Sequence, residues 1–269
     1  MMYPKNGRSR ACRERGRTLS VLWDVQPQRQ LWVGQTQLAT LKNDTRLPAS
    51  HEIPRSQFKK GHNMIIVFSG IDGAGKSSAA RALAVQLGPS MPVRVLGNYS
   101  GRRSITAGAK RLGIAIPPRL LDAVETLVRV VNVLTNHVKA ARFDGVVLMD
   151  RHLHCQLALR AAHGVPRGVF LPWLISLLPT PDAILFFDVP IDQAHARVTA
   201  RGADSENRGH LAAFRQGYLD LPEAAGSTPI DAGATAPEVL ARIGFVVEAL
   251  NLKQDHSEQS LREDNPLQV

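Results

Sequence analysis

Residues 70–78 read GIDGAGKSS and directly follow the apolar run MIIVFS. The spacing Gly70-x4-Gly75-Lys76-Ser77 is that of a loop built to hold phosphate. Glycines at 70, 73 and 75 let the backbone turn tightly, so that amide N–H groups from Gly70, Ile71, Asp72, Gly73, Ala74 and Gly75 through Ser78 face inward as a nest for anionic oxygens. Lys76 is placed to neutralise the β and γ phosphates of a nucleoside triphosphate, and the Ser77 hydroxyl to ligate Mg²⁺. The context fits: an apolar strand precedes the loop and the alanine-rich segment SSAARALAVQL follows it.

Phosphate chemistry needs a second wall. Two segments end as apolar strands with a terminal aspartate, VVLMD at Asp150 and ILFFD at Asp188. Asp150 is the better Mg²⁺-side carboxylate, because Arg151 follows it and a guanidinium would emerge at the same strand end. Asp188, in DVP, is expected to end a strand and order the next turn. Further on, arginines 197, 201, 208 and 215 surround the glycine-containing break GADSENRG. Arg197 and Arg201 lie one helical turn apart and share a face, so a small arginine-bearing lid over the phosphates is expected, with both residues catalytic.

The elements that must position these residues alternate. MIIVFS (64–69), VRVLG (93–97), GVVLMD (145–150), AILFFDV (183–189) and STPID (227–231) read as strands. Helices are expected at 76–87, 118–142, 191–201, 208–221 and 236–250. Strands with helical crossovers predict an α/β fold: a three-layer α/β/α P-loop NTPase with a five-stranded parallel sheet. The organisation expected is a basic leader at 1–63, a P-loop domain at 64–250 and a flexible polar tail at 251–269. The leader shows no sustained periodicity and is expected to be disordered, or translation to start at Met64.

Charge separates along the same line. The leader carries 12 Lys and Arg against 4 Asp and Glu, while residues 64–269 carry 21 against 19. The folded part therefore has a basic surplus of only two charges, which weakens any argument that it carries a nucleic-acid surface. Cys12 and Cys155 are the only cysteines, which excludes a disulfide framework and fits a reducing, cytoplasmic setting. VFLPWLISLL (169–178) is the longest apolar stretch and is too short to cross a bilayer, so no membrane association is expected.

With these motifs in view, the chain resembles the thymidylate kinase family of nucleoside monophosphate kinases over about residues 64–250. FSGIDGAGKSS resembles the family's phosphate loop, DRHLHCQLA its Asp-Arg motif, PDAILFFDVPIDQAHARVTARG its fourth strand and lid helix, and FRQGYLDL with IDAGATAPEVLARI its closing segment. The resemblance implies ATP as donor with Mg²⁺, Lys76, Ser77 and Ser78 on ATP phosphates and metal, and Asp72 near the acceptor sugar. It also implies Arg151 between donor and acceptor phosphates, Arg129 on the acceptor phosphate, Arg197 and Arg201 in the lid, and a homodimer.

The acceptor side departs from the family pattern. GNYSGRRS (97–104) stands where Arg-Glu-Pro-Gly-Gly is usual, Cys155 where Ser is usual, and Leu159 and Arg160 where Tyr and Gln are usual. Tyr99, Arg102 and Arg103 are candidates for a rebuilt acceptor site. The expected acceptor is dTMP or a related nucleotide. Two alternatives stay open: a kinase acting on a nucleoside, sugar or other hydroxyl compound, and an ATP-binding sensor that transfers nothing.

Overall fold

The run MIIVFS lies in β1 (Asn63–Ser69), buried from Met64 onward. Its side chains alternate between two apolar clusters, with Met64, Ile66 and Phe68 on one face of the sheet and Ile65 and Val67 on the other. A strand with a core on both sides has no polar face, which is why it reads as an unbroken apolar run. With β2 (Val93–Gly97), β3 (Gly145–Asp150), β4 (Ala183–Asp188) and β5 (Thr228–Asp231) it forms a five-stranded sheet in the order β2-β3-β1-β4-β5, every pairing parallel. A computed structural model describes residues 63–113, 115–202 and 207–263 of the chain.

Parallel neighbours need long crossovers, and helices supply them: α1 (Lys76–Leu87), α2 (Arg102–Arg111), α3 (Pro118–Ala141), α4 (Leu153–Ala162), α5 (Phe170–Leu177), α6 (Ile191–Ala200), α7 (Arg208–Leu219) and α8 (Ala236–Glu263). They cover both faces of the sheet and give the three-layer P-loop arrangement. Burying large side chains such as Phe68, Leu83, Leu148 and Phe187 completely contributes roughly 1.5–3 kcal/mol each. Among the described residues no helix is long and apolar enough to cross a membrane.

The register positions the site. Phe68 pairs with Asp150, and Gly97 pairs with the same residue from the other side. The carboxyl ends of β1, β3 and β2 therefore stop level with one another, and the loops leaving them at Gly70, Arg151 and Asn98 share one edge. That edge lies where the chain order reverses about β1, the place at which open α/β sheets bind ligands.

Three elements differ from expectation. GRRS leads into α2, whereas the sequence reads as loop there; the side chains of Arg102 and Arg103 lie outside the described residues. The apolar run around Pro172 is helical because that proline falls in the first turn of α5, where a missing N–H costs no hydrogen bond. Helix α8 runs past Leu250 to Glu263, well into the expected tail. No proline or glycine interrupts it over that stretch, and Asn251 is buried rather than solvated. The expected leader, apart from Asn63, and the centre of GADSENRG at 203–206 lie outside the described residues.

Candidate active site

The phosphate loop leaves β1 through Gly70 and enters α1 at Lys76. Two of its glycines have no alternative. A Cβ on Gly70 would lie 2.6 Å from the Phe187 carbonyl oxygen, and one on Gly73 would lie 2.4 Å from that of Ala194, both at positive φ. Ile71 and Ala74 are buried and anchor the loop to the core. The amides face a cavity of about 830 Å³ lined by Asp72, Gly73, Gly75, Lys76, Ser77 and Ser78.

Lys76 is 4% exposed. Its Nζ donates to the Ile71 carbonyl at 2.6 Å, so the ammonium is stored against its own loop. Burial first, and then the charge of Arg151, pull its pKa down to about 8. A cation so held is short of counter-charge, and an arriving phosphate would supply it.

Ser77 and Asp150, the two residues expected on the metal side, lie next to each other. The Ser77 hydroxyl donates to Asp150 Oδ2, the Tyr99 hydroxyl reaches the same oxygen at 3.4 Å, and Asp150 is buried. Its other oxygen, Oδ1, is buried without a hydrogen-bond partner. A carboxylate oxygen orphaned beside a hydroxyl is a hard oxygen donor set, and it fits Mg²⁺ bound through few protein ligands and completed by phosphate. Asp188 faces elsewhere: its carboxylate takes a bidentate pair of bonds from Arg215 at 2.6 and 2.7 Å.

Arg151 forms the opposite wall. It is the one non-glycine residue at positive φ among those described, with φ 77° and its N–H on the Phe68 carbonyl at 3.0 Å. Such a conformation costs on the order of 1–3 kcal/mol and is kept where the surroundings impose it. Here it turns the guanidinium back across the cavity, where Nη2 pairs with Asp72 and Nη1 reaches Cys155 Sγ at 3.1 Å. Burial would raise the Cys155 thiol pKa, but Arg129 and Arg151 outweigh it and hold the thiol below its ordinary value.

Arg129, in α3, is 3% exposed and lines the same cavity. Its Nε donates to Gln156 Oε1 at 3.0 Å and its Nη1 to the Asn98 carbonyl at 2.9 Å. The lid pair separates. Arg201 lines the cavity, whereas Arg197 is not among the lining residues and its Nη1 reaches the Ala232 carbonyl at 3.0 Å and that of Gly73 at 3.4 Å. Arg197 braces the back of the phosphate loop, a position that favours a structural role over contact with reacting atoms.

Sequence reasoning missed several lining residues. Arg81 lies one turn beyond Ser77 on α1, and that spacing was the available signal. His163 and His210 stack at 5.0 Å between ring centres and join the end of α4 to the start of α7, with Phe214 next to them. No local motif marks these. Below the site His137, His152 and His154 are buried together, with His137 Nε2 and His152 Nε2 3.0 Å apart. Burial is the first cause that lowers the pKa of each, to about 4 for His154.

A phosphate nest on a parallel α/β sheet, with a buried lysine, an orphaned carboxylate oxygen and arginines facing it, defines a P-loop nucleotide kinase. No protein-family model matches the chain, but curated proteins do. It is 30% identical over 206 residues to a thymidylate kinase of Xanthomonas euvesicatoria pv. vesicatoria, covering 71% of this chain and 85% of that one. It is 32% identical over 203 residues to a thymidylate kinase of Xanthomonas campestris pv. campestris, covering 69% and 83%. A thymidylate kinase of Rhodopirellula baltica is 28% identical over 240 residues, covering 81% and 93%. The chain belongs to the thymidylate kinase family.

Proposed function

We propose that this protein transfers the γ-phosphoryl group of Mg-ATP to a nucleoside monophosphate, dTMP or a relative of it, in the cytoplasm. The observation that carries this reading is the facing of two half-sites across one cavity. The Ser77–Asp150 pair, with its orphaned oxygen, stands on the loop side, and the buried Arg129 and the half-buried Arg151 line the same cavity.

Ser77 and Asp150 would hold Mg²⁺, which supplies neutralisation of charge on the donor phosphates. The loop amides would bind the donor's terminal oxygens, and Lys76 would exchange its bond to Ile71 for one to phosphate. Asp72 and Cys155 already hold the Arg151 guanidinium in the cavity, where it would lie between donor and acceptor and meet charge as it develops. Arg129 would take the acceptor phosphate, with Asp72 and Tyr99 flanking it. Arg201 would close from the lid. An acceptor phosphate oxygen is already anionic and needs no general base. Asp72 agrees with that, since its ion pair with Arg151 makes it a poor one.

Assay of ADP formation with Mg-ATP and a panel of monophosphates, nucleosides and sugars tests the reading. Transfer to at least one monophosphate is expected. Transfer only to hydroxyl compounds would replace it with the hydroxyl-acceptor alternative, and ATP binding without any transfer would replace it with the sensor. We also propose a homodimer through α3, whose outer face exposes Leu127, Val131, Leu134 and Val138 at helical spacing. Sedimentation of wild type and Val131→Glu tests this, with a dimer and a monomer expected in turn.

A further inference from the structure

Arg129 is aimed by side chains that lie outside the phosphate loop. Gln156 is completely buried in the first half of α4. Its Oε1 accepts from Arg129 Nε at 3.0 Å, and its Nε2 donates to Asp122 Oδ1 at 3.0 Å. Asp122 is held in turn by Arg160, whose Nε lies 3.3 and 3.1 Å from the two carboxylate oxygens and whose Nη2 forms an ion pair with it at 2.9 Å. The Arg160 Nη2 also donates to Thr126 Oγ1 at 3.2 Å. On its other side Arg129 donates to the carbonyl of Asn98, whose own Nδ2 donates to the Arg151 carbonyl at 2.6 Å.

We propose that Gln156, anchored by Asp122 and Arg160, is a positioning residue that fixes the plane of the Arg129 guanidinium toward the phosphate of the acceptor. The inference rests on the monophosphate-kinase reading above. The polarity of the chain has one solution. A guanidinium only donates and a carboxylate only accepts, so the group between them must present an acceptor to one and a donor to the other. Gln156 does that with a single amide, and the charges alternate outward as Arg129, Asp122 and Arg160 so that none is left buried alone.

Two of the five N–H groups of Arg129 are spent on Gln156 and Asn98. The side chain nevertheless lines the cavity, so its remaining donors are presented in a fixed plane rather than swept through a cone. Because Asn98 also holds the backbone of Arg151, the acceptor-side and central arginines are tied at one point. The chain also closes the seam between α3 and α4: Asp122, Gln156 and Arg160 fill it with their bonds to one another and do not line the cavity.

The test compares Gln156→Leu, Gln156→Glu and the double variant Gln156→Glu with Asp122→Asn against wild type, with Mg-ATP and the monophosphate that wild type phosphorylates fastest. Gln156→Leu strips Arg129 Nε and Asp122 of a partner. Its acceptor KM is expected to rise roughly tenfold or more, with the ATP KM within about twofold and kcat moved less. Gln156→Glu sets a carboxylate against Asp122 and is expected to be as poor. The double variant restores the chain, its donor now supplied by the amide introduced at position 122, and is expected to return acceptor KM to within a few fold of wild type.

Acceptor KM unchanged in folded Gln156→Leu, or ATP KM rising equally, would overturn the proposal. So would a double variant no better than Gln156→Glu, which also decides the matter if Gln156→Leu does not fold. Where wild type phosphorylates no monophosphate, the kinase reading fails on its own account. Calorimetric titration of the same proteins with inorganic phosphate then decides the positioning role: weakened by Gln156→Glu and restored in the double variant, it stands; equal in all, it falls.

Discussion

Between Gly70 and Ser78 the site is shaped by backbone. Glycines pressed on the Phe187 and Ala194 carbonyls fix the path, and α1 starts where the loop ends. On the acceptor side, from Tyr99 across α3 to α4, almost nothing is fixed by backbone. Arg129, Gln156, Asp122 and Arg160 hold one another side chain to side chain, as do Asn98 and Asn136, and a single backbone acceptor, the Asn98 carbonyl, joins Arg129 to the second group, with the three buried histidines next to them. A backbone nest accepts almost any residues outside its motif. A side-chain network changes whenever one member changes, so a kinase can keep its donor site while its acceptor site drifts.

The largest effect should come from the backbone-held side. Lys76→Ala removes the one lysine of the cradle, and transfer should fall roughly 10³-fold. The melting temperature should hold, because the lost Nζ makes a single bond within its own loop. A coupled ADP assay with a parallel thermal melt checks both. Activity within about tenfold of wild type would mean that the cradle is not where the donor phosphates react.

That side was also the one the sequence made legible. Its residues are contiguous, and β1 and β3 announce their register through unbroken apolar runs ending at Ser69 and Asp150. The acceptor side was only partly legible. Arg129 shows no local sign that it is buried, and Gln156, Asp122 and Arg160 become neighbours only when α3 packs on α4. Arg197 and Arg201 do share a helix face, but one turn of rise puts the first behind the loop and the second in the cavity. Spacing gives the face and not the depth.

Acid should separate the two regions next. His137, His152 and His154 are buried neutral, with Arg129 close to His152 and Glu223 acting on His154. Above about pH 6.5 both folded and unfolded states are neutral at these positions and the histidines carry no proton linkage. As pH falls below that value the unfolded chain binds protons that the fold refuses, so stability declines until the pH passes the lowered folded pKa. For His154, with a folded pKa of about 4, the full loss is on the order of 3 kcal/mol. Urea unfolding at about pH 7.5, 6 and 5 should show the decline, and His154→Gln should flatten it by one proton. A pH-independent midpoint in wild type would remove the histidines from the account.

A smaller contrast pits two arginines against each other. Arg129→Ala should raise acceptor KM roughly 10- to 100-fold, the range for bonds to a charged group, while leaving ATP KM in place. Arg197→Ala should do the reverse in kind. It loosens Gly73 and Ala232, so it should lower the melting temperature and raise ATP KM with the acceptor KM unmoved. The same pattern from both variants would erase the division between the regions.

Tyr99 is the residue on the boundary, and its hydroxyl should have the least effect of all. Its carbonyl accepts from Asn132 of α3 at 2.8 Å, which ties it to the acceptor side, yet its hydroxyl points at Asp150 Oδ2 across a long 3.4 Å. The ring is largely exposed, so solvent offsets most of what that bond contributes. Tyr99→Phe keeps the ring over Gly97 and deletes only the contact with Asp150. Half-saturating Mg²⁺ at fixed ATP should therefore rise by about twofold, since Asp150 loses a weak partner that helps set its orientation. Acceptor KM should stay where it is. The opposite result, with acceptor KM rising and Mg²⁺ dependence fixed, would assign the hydroxyl to the acceptor and move the boundary between the two regions to the Asp150 side of Tyr99.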